Sequence, residues 1–222
     1  MGKYKYVFFD MDGTIGDTKE GIFNSTRYGF EKLGKEIDDS YESLIRVIGP
    51  PLVWAYQEYF GVSKEDAEKV TEYYRERSSE KGIYEMNLYD GIEDVLKKLV
   101  GNGIVLAVVS AKPEDYIDRI MKHFCIDKYF SYNSSASKKD TDTSKARLIT
   151  RAIEHFGIED LDEVVMVGDR RYDLEGASDV GVDGIGVTYG FGSFEELNSC
   201  ENVFIAKTPD EIYDYIVSTE SK

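Results

Sequence analysis

At 222 residues, 41% hydrophobic and 32% charged with only 4 Pro, the chain has enough apolar material for a packed core, which excludes a disordered or collagenous polymer. Its 43 Asp and Glu against 27 Lys and Arg leave a formal net charge of −16. That balance repels phosphate backbones and anionic membrane surfaces, and so disfavours nucleic acid or a membrane as partner.

The first element is a β-branched and aromatic run, Tyr4 to Phe9, which reads as a buried strand ending in Asp10. From Thr18 to Asn87 no convincing strand follows; the stretch reads as several helices, one announced by Ser63-Lys-Glu-Asp before Ala67, Val70, Tyr73 and Tyr74. Helical spacing returns at about residues 91 to 102, and Ile104 to Val109 is a second buried strand, ending in Ser110. A helix at about 113 to 124 leads to a weaker strand candidate, Tyr129 to Tyr132, and to a polar loop from Ser131 to Ser144. A helix at about 144 to 156 precedes the third strong strand, Val164 to Val167, which ends in Gly168-Asp169. The series continues with a helix at about 171 to 179, then weaker strands at Gly184 to Val187 and Val203 to Ile205. Thr208-Pro-Asp-Glu211 opens the last helix with an N-cap, a first-turn proline and a capping acid.

Near-continuous apolar strands alternating with helices predict a parallel sheet covered on both faces. Ligands of such sheets bind beyond the carboxyl ends of the strands, so an insertion leaving at the end of the first strand is expected to act as a lid. Cys125 and Cys200 could form one disulfide but make no disulfide framework, and a reduced, cytoplasmic setting is the expectation. Ile104 to Val109, the longest aliphatic run, is far short of the about 20 residues needed to span a bilayer. The N-terminus lacks an apolar signal core, and Tyr6 stands where a myristoylation signal wants Ser or Thr.

Asp10-Met-Asp12-Gly13-Thr14 carries the strongest local signal. Residues two apart in an extended segment point the same way, so both carboxylates can face one volume while Gly13 lets the chain turn. Two neighbouring acids push their proton affinities apart, which suits one to act as nucleophile and the other as acid; the same five residues also suit a simple turn. The Ser110 hydroxyl could bind a phosphate oxygen or cap a helix. Lys145, at a helix start where the dipole disfavours a cation, calls for an anionic partner, although a solvated lysine is the commoner reading of that residue taken alone. Asp169 could join Asp10 around a hard cation such as Mg²⁺, with Asp173 holding a metal-bound water or orienting its neighbours.

Taken in order, Asp10-x-Asp12-Gly-Thr, Ser110, Lys145 and Gly168-Asp169 with Asp173 resemble the four-part signature of the haloacid dehalogenase superfamily, within it the phosphatases related to phosphoglycolate phosphatase. The likeness extends to Ile48-Gly-Pro-Pro-Leu52, Leu88-Tyr-Asp-Gly-Ile92 and Gly186-Val-Thr-Tyr-Gly-Phe-Gly192. Asp90 departs from it, standing where proline is frequent, and the loop before Lys145 leaves Lys138 and Lys139 as competitors for its role.

The resemblance implies an α/β fold: a Rossmann-like three-layer parallel-sheet core from residues 1–17 and 88–222, with an α-helical cap inserted at 18–87. It also implies a Mg²⁺-dependent phosphatase acting on a small-molecule phosphate ester. Asp10 would attack the phosphoryl group, Asp12 would protonate the leaving oxygen and then activate water, and Ser110 and Lys145 would hold the phosphoryl oxygens. The metal ligands would be the Asp10 carboxylate, the Asp12 backbone carbonyl and the Asp169 carboxylate, supported by Asp173. Arg46, ahead of Arg75 and Arg77, is the first candidate in the cap to meet a second anionic group of the substrate, although an arginine on a helix surface is the commoner reading of each.

Phosphoglycolate, a nucleoside monophosphate (a 5′-nucleotidase) and pyrophosphate all remain open as substrates, as does oligomeric state. A sugar phosphomutase is disfavoured because Thr18 to Ile22 lacks the His-containing pattern of those enzymes, and a phosphonate hydrolase because Gly49 to Val53 offers no lysine. An inactive binding protein on the same scaffold should have lost one of these groups, and none is lost. His123 and His155 lie beside apolar helix stripes as surface residues, with no zinc or Ser/His/Asp pattern around them.

Overall fold

The computed structural model describes residues 2–137 and 140–219, and the chain divides into two compact units, Met1–Gly16 with Leu88–Lys222, and Asp17–Asn87. In chain order the elements are β1 (Tyr6–Phe9), β2 (Gly16–Asp17), α1 (Lys19–Leu33), α2 (Tyr41–Leu44), α3 (Leu52–Phe60), α4 (Lys64–Glu80), β3 (Asn87–Leu88), α5 (Ile92–Gly101) and β4 (Val105–Pro113). They continue with α6 (Glu114–His123), β5 (Tyr132–Ala136), α7 (Lys145–Phe156), β6 (Val164–Gly168), α8 (Arg171–Val180), β7 (Asp183–Val187), α9 (Phe194–Asn198), β8 (Phe204–Ala206) and α10 (Pro209–Ser218). Among the described residues no helix is long and apolar enough to cross a membrane.

The larger unit is built on one six-stranded sheet in the order β5-β4-β1-β6-β7-β8, every pairing parallel. Its central strands are apolar on both sides because both faces are covered: Val7, Phe8, Phe9, Leu106, Ala107, Val108 and Val164 to Val167 are fully buried. From β1 the chain steps outward to β4 and β5, then returns across β1 to β6, β7 and β8. Right-handed crossovers in these two opposite directions put their helices on opposite faces. Phe8, Ala107, Val109 and Met166 pack on Leu148, Ile149 and Ala152 of α7 and Ala177 of α8. The result is the three-layer α/β architecture expected, with β1 at the place where the chain changes direction.

The polar strand β5 corrects two expectations: Tyr132–Ala136 is paired to β4, whereas Asp127–Tyr129 forms a 3₁₀ turn. Its polar residues escape a hydrophobicity reading because partners on another element satisfy them. The buried Ser134 Oγ donates to the Leu148 carbonyl at 2.7 Å and accepts from Arg151 Nε at 3.0 Å. Cys125 and Cys200 are free thiols rather than a disulfide.

The smaller unit is helical. Ser63 caps α4, its hydroxyl accepting from Asp66 N–H at 3.1 Å. The α1 and α4 helices pack closely at Gly29, where a Cβ would stand 2.8 Å from the Val70 carbonyl oxygen. Phe30, buried with Tyr56, meets the Tyr56 and Phe60 rings at centroid distances of 5.3 and 5.1 Å. The strands β2 and β3, where this segment leaves and rejoins the chain, pair as a two-stranded sheet.

Candidate active site

The site lies at the carboxyl ends of β1, β4 and β6, the place a doubly wound sheet reserves for ligands. Asp10 follows Phe9 directly, and its N–H donates to the Val167 carbonyl at 3.0 Å, continuing the β1–β6 register past the strand. Gly13 then turns the chain with φ +84°, and any side chain there would collide with Asp169, its Cβ falling 2.1 Å from Oδ2. Ser110, 2% exposed, lies in β4 just before the register shift that ends at Pro113.

Lys145 stands at the first position of α7, after Ser144, whose hydroxyl accepts from Arg147 N–H. Its Nζ reaches inward to lie 2.8 Å from Asp10 Oδ1, 2.8 Å from Asp173 Oδ1 and 2.9 Å from the Val109 carbonyl. Asp173 in turn accepts from Arg170 N–H at 3.1 Å through Oδ2, closing the turn between β6 and α8. Lys138 and Lys139 lie outside the described residues.

Asp10, Asp169 and Asp173 each offer a carboxylate oxygen within 4.8 Å of the others. Burial raises the Asp10 carboxyl to about 6 against the pull of the Lys145 ammonium, with Asp173 and Asp12 adding to the rise. Burial, helped by Asp173 and Asp10, holds Asp169 well above the usual carboxylate range. Burial alone would push the Lys145 ammonium down, but Asp10 and Asp173 outweigh it and hold it up. Three buried carboxylates thus face one buried ammonium, an excess of negative charge that a low-dielectric setting tolerates poorly. An all-oxygen donor set carrying that excess fits a hard divalent cation. The Asp12 carboxylate is outside this cluster.

Several contributors escaped the sequence reading. Phe191 N–H donates to Asp169 Oδ2 at 2.7 Å, and Thr14 Oγ1 approaches Oδ1 at 3.5 Å. The Tyr189 hydroxyl donates to the Thr14 carbonyl at 3.0 Å, which ties the loop after β7 to the turn after β1. Lys112 Nζ lies 3.0 Å from Asp12 Oδ1, both side chains largely enclosed. A signal for Lys112 was present: it follows Ser110 by two positions on a strand, the spacing at which side chains share a side. Arg46 is exposed and stacks its guanidinium 3.9 Å from the Tyr59 ring centroid, while Arg77 is engaged by Glu85. His123 and His155 are exposed, the latter stacked on Tyr132.

A sheet of this order, with acids at two strand ends and a lysine held between Asp10 and Asp173, is a core of the doubly wound α/β class. The model of the haloacid dehalogenase-like hydrolases matches residues 7–187. A 5′-nucleotidase from Pseudomonas aeruginosa is 37% identical over 197 residues, 89% of this chain and 88% of that protein. The tyrosine-protein kinase PtkA of Mycobacterium tuberculosis is 33% identical over 209 residues, 93% of this chain and 70% of its own length. The crystal structure of a predicted phosphatase from Clostridium acetobutylicum superposes with a TM-score of 0.89 at 37% identity, covering 97% of this chain and 99% of that one. The chain belongs to the haloacid dehalogenase-like hydrolases and is a phosphatase of that family.

Proposed function

We propose that this phosphatase hydrolyses a small-molecule phosphate monoester through an aspartyl-phosphate on Asp10, with Mg²⁺ as cofactor. The observation that carries the reading is the contact of Lys145 Nζ with Asp10 Oδ1, which leaves Oδ2 as the attacking oxygen and sets a cation where the phosphoryl oxygens would gather charge. In the first step Asp10 Oδ2 bonds to phosphorus as the ester P–O bond breaks, and the leaving oxygen takes a proton from the Asp12 carboxyl. In the second, the Asp12 carboxylate takes a proton from water as its oxygen bonds to phosphorus, and the Asp10–phosphorus bond breaks. Ser110 Oγ and Lys145 Nζ hold the equatorial oxygens; positioning and charge stabilisation of this kind supply most of the acceleration in phosphoryl transfer.

The Asp10 and Asp169 carboxylates and the Asp12 carbonyl would hold Mg²⁺, which neutralises the carboxylates and draws charge from the phosphoryl oxygens. Asp173 keeps Lys145 and the turn after β6 in place, as its two contacts suggest. Residues 18–87 are assigned the part of a helical cap that reads the leaving group, with Arg46 its first candidate contact. A nucleoside 5′-monophosphate heads the substrate classes because of the 5′-nucleotidase relative, ahead of phosphoglycolate and pyrophosphate, and a cytoplasmic setting suits each.

Phosphate release from p-nitrophenyl phosphate and from these three substrates, with Mg²⁺ and with EDTA, tests the reading. Release should need the metal and vanish in D10N, and enzyme quenched in acid after exposure to radiolabelled ester should carry label only with Asp10 intact. Metal-independent turnover, or a D10N variant that still turns over, overturns it.

A further inference from the structure

Lys112 is a largely enclosed cation, its side chain 10% exposed, to which none of the steps above gives a part. It occupies the irregular end of β4, two residues beyond Ser110, and its N–H donates to Ser110 Oγ at 3.3 Å. Its ammonium stands 3.0 Å from Asp12 Oδ1. That oxygen is buried and accepts no hydrogen bond from any other group, so the ammonium is the polar partner set against it. The Asp12 side chain as a whole is 22% exposed, while Oδ1 itself is closed to solvent.

We propose that Lys112 is a positioning residue for the general acid: by holding Asp12 Oδ1 it turns Oδ2 toward the leaving-group oxygen and keeps the carboxylate out of the cluster formed by Asp10, Asp169 and Asp173. The inference rests on the acid role assigned to Asp12 above. Without the ammonium the Asp12 carboxylate loses the cation that fixes its orientation, and Lys145, engaged by Asp10 and Asp173, is not available to replace it. A misdirected acid hurts most when the departing oxygen cannot leave without a proton. An alkoxide needs that proton; a nitrophenolate does not. Lys112 therefore matters for poor leaving groups and little for good ones. A residue that merely supported the end of β4 would lower turnover of every ester by one common factor.

The test compares kcat/KM for an alkyl phosphate, glycerol 3-phosphate, and for p-nitrophenyl phosphate in wild type, K112M, K112R, D12N and the K112M/D12N pair. Since kcat/KM reports the steps through loss of the leaving group, the later hydrolysis of the aspartyl-phosphate does not enter. With general acid catalysis contributing about 10²–10⁴-fold in enzymes, K112M should lose roughly 30- to 100-fold on the alkyl ester and no more than about 3-fold on the aryl ester. K112R should recover part of the alkyl activity, because a guanidinium can reach the same oxygen. In the D12N background K112M should add almost nothing, since the residue acts only through Asp12. Equal losses on the two esters, or a full added loss in the D12N background, overturn the proposal. Wild type active, D12N impaired and K112M unimpaired on both esters sinks this inference alone; wild type releasing phosphate from neither ester sinks the phosphatase mechanism and the inference with it.

Discussion

Arg77 and Glu85 show how a candidate ligand can be a structural group. The guanidinium is bidentate on the carboxylate, with contacts of 2.7 and 2.8 Å, and both ends belong to the helical unit. Hydrogen bonding from Arg77 holds the Glu85 carboxyl below its ordinary range. Glu85 in the folded state thus gives up its proton more readily than in the unfolded chain. The pair's stabilisation is complete above about pH 4.3, the usual glutamate value, and is lost as pH falls from there through the lower folded value. R77M should cost about 1–2 kcal/mol at pH 7 and flatten the fall in stability as pH drops below about 4.3, read by chemical denaturation at several pH values. At this scale the sequence offered Asp10, Asp12, Ser110, Lys145, Asp169 and Asp173 as candidates, from their places after strands or at a helix start and from the order in which they resemble a family signature. It passed over Lys112 because a lysine after a strand reads as surface; its enclosure comes from Asp12, 100 positions earlier in the chain.

Among the elements, the loop from Val187 to Ser193 runs tightly against the site. Gly190 runs against the turn after β1, and a Cβ there would stand 2.2 Å from the Gly13 carbonyl oxygen and 2.5 Å from Asp169 Cβ. Phe191 N–H, the next in the loop, holds Asp169 Oδ2. G190A must therefore push either the loop or Asp169 aside, and a displacement of about 1 Å at a reacting centre can cost about 10²-fold. Phosphate release should fall by about that factor while far-UV circular dichroism stays native, a combination that a general collapse would not produce. The helices were legible at the level of elements because their signals are local: the caps at Ser63, Ser144 and Thr208 each accept a hydrogen bond within their own first turn. β5 was not, because the buried Ser134 hydroxyl is satisfied by Leu148 and Arg151 and the strand pairs with β4.

For the whole molecule the dominant quantity is the net charge of −16. Like charges at this density repel one another in the compact state, and added salt screens them. Raising NaCl from about 0.01 M to about 0.5 M, which shortens the screening length from about 30 Å to under 10 Å, should raise the melting temperature by a few degrees. A melting temperature that falls over that range would show that favourable ion pairs outweigh the repulsion. The alternation of apolar strands with helices, the helical insertion, the acids at the strand ends and the lysine at a helix start were all written in the sequence, because each depends on residues close together along the chain. Strand order, the engagement of Lys145 by two carboxylates at once, the pairing of Lys112 with Asp12 and the closeness of Gly190 to Asp169 were decided only by the tertiary structure. They join segments separated by up to about 160 positions, and no local rule of spacing or propensity records which distant strand end a side chain will meet.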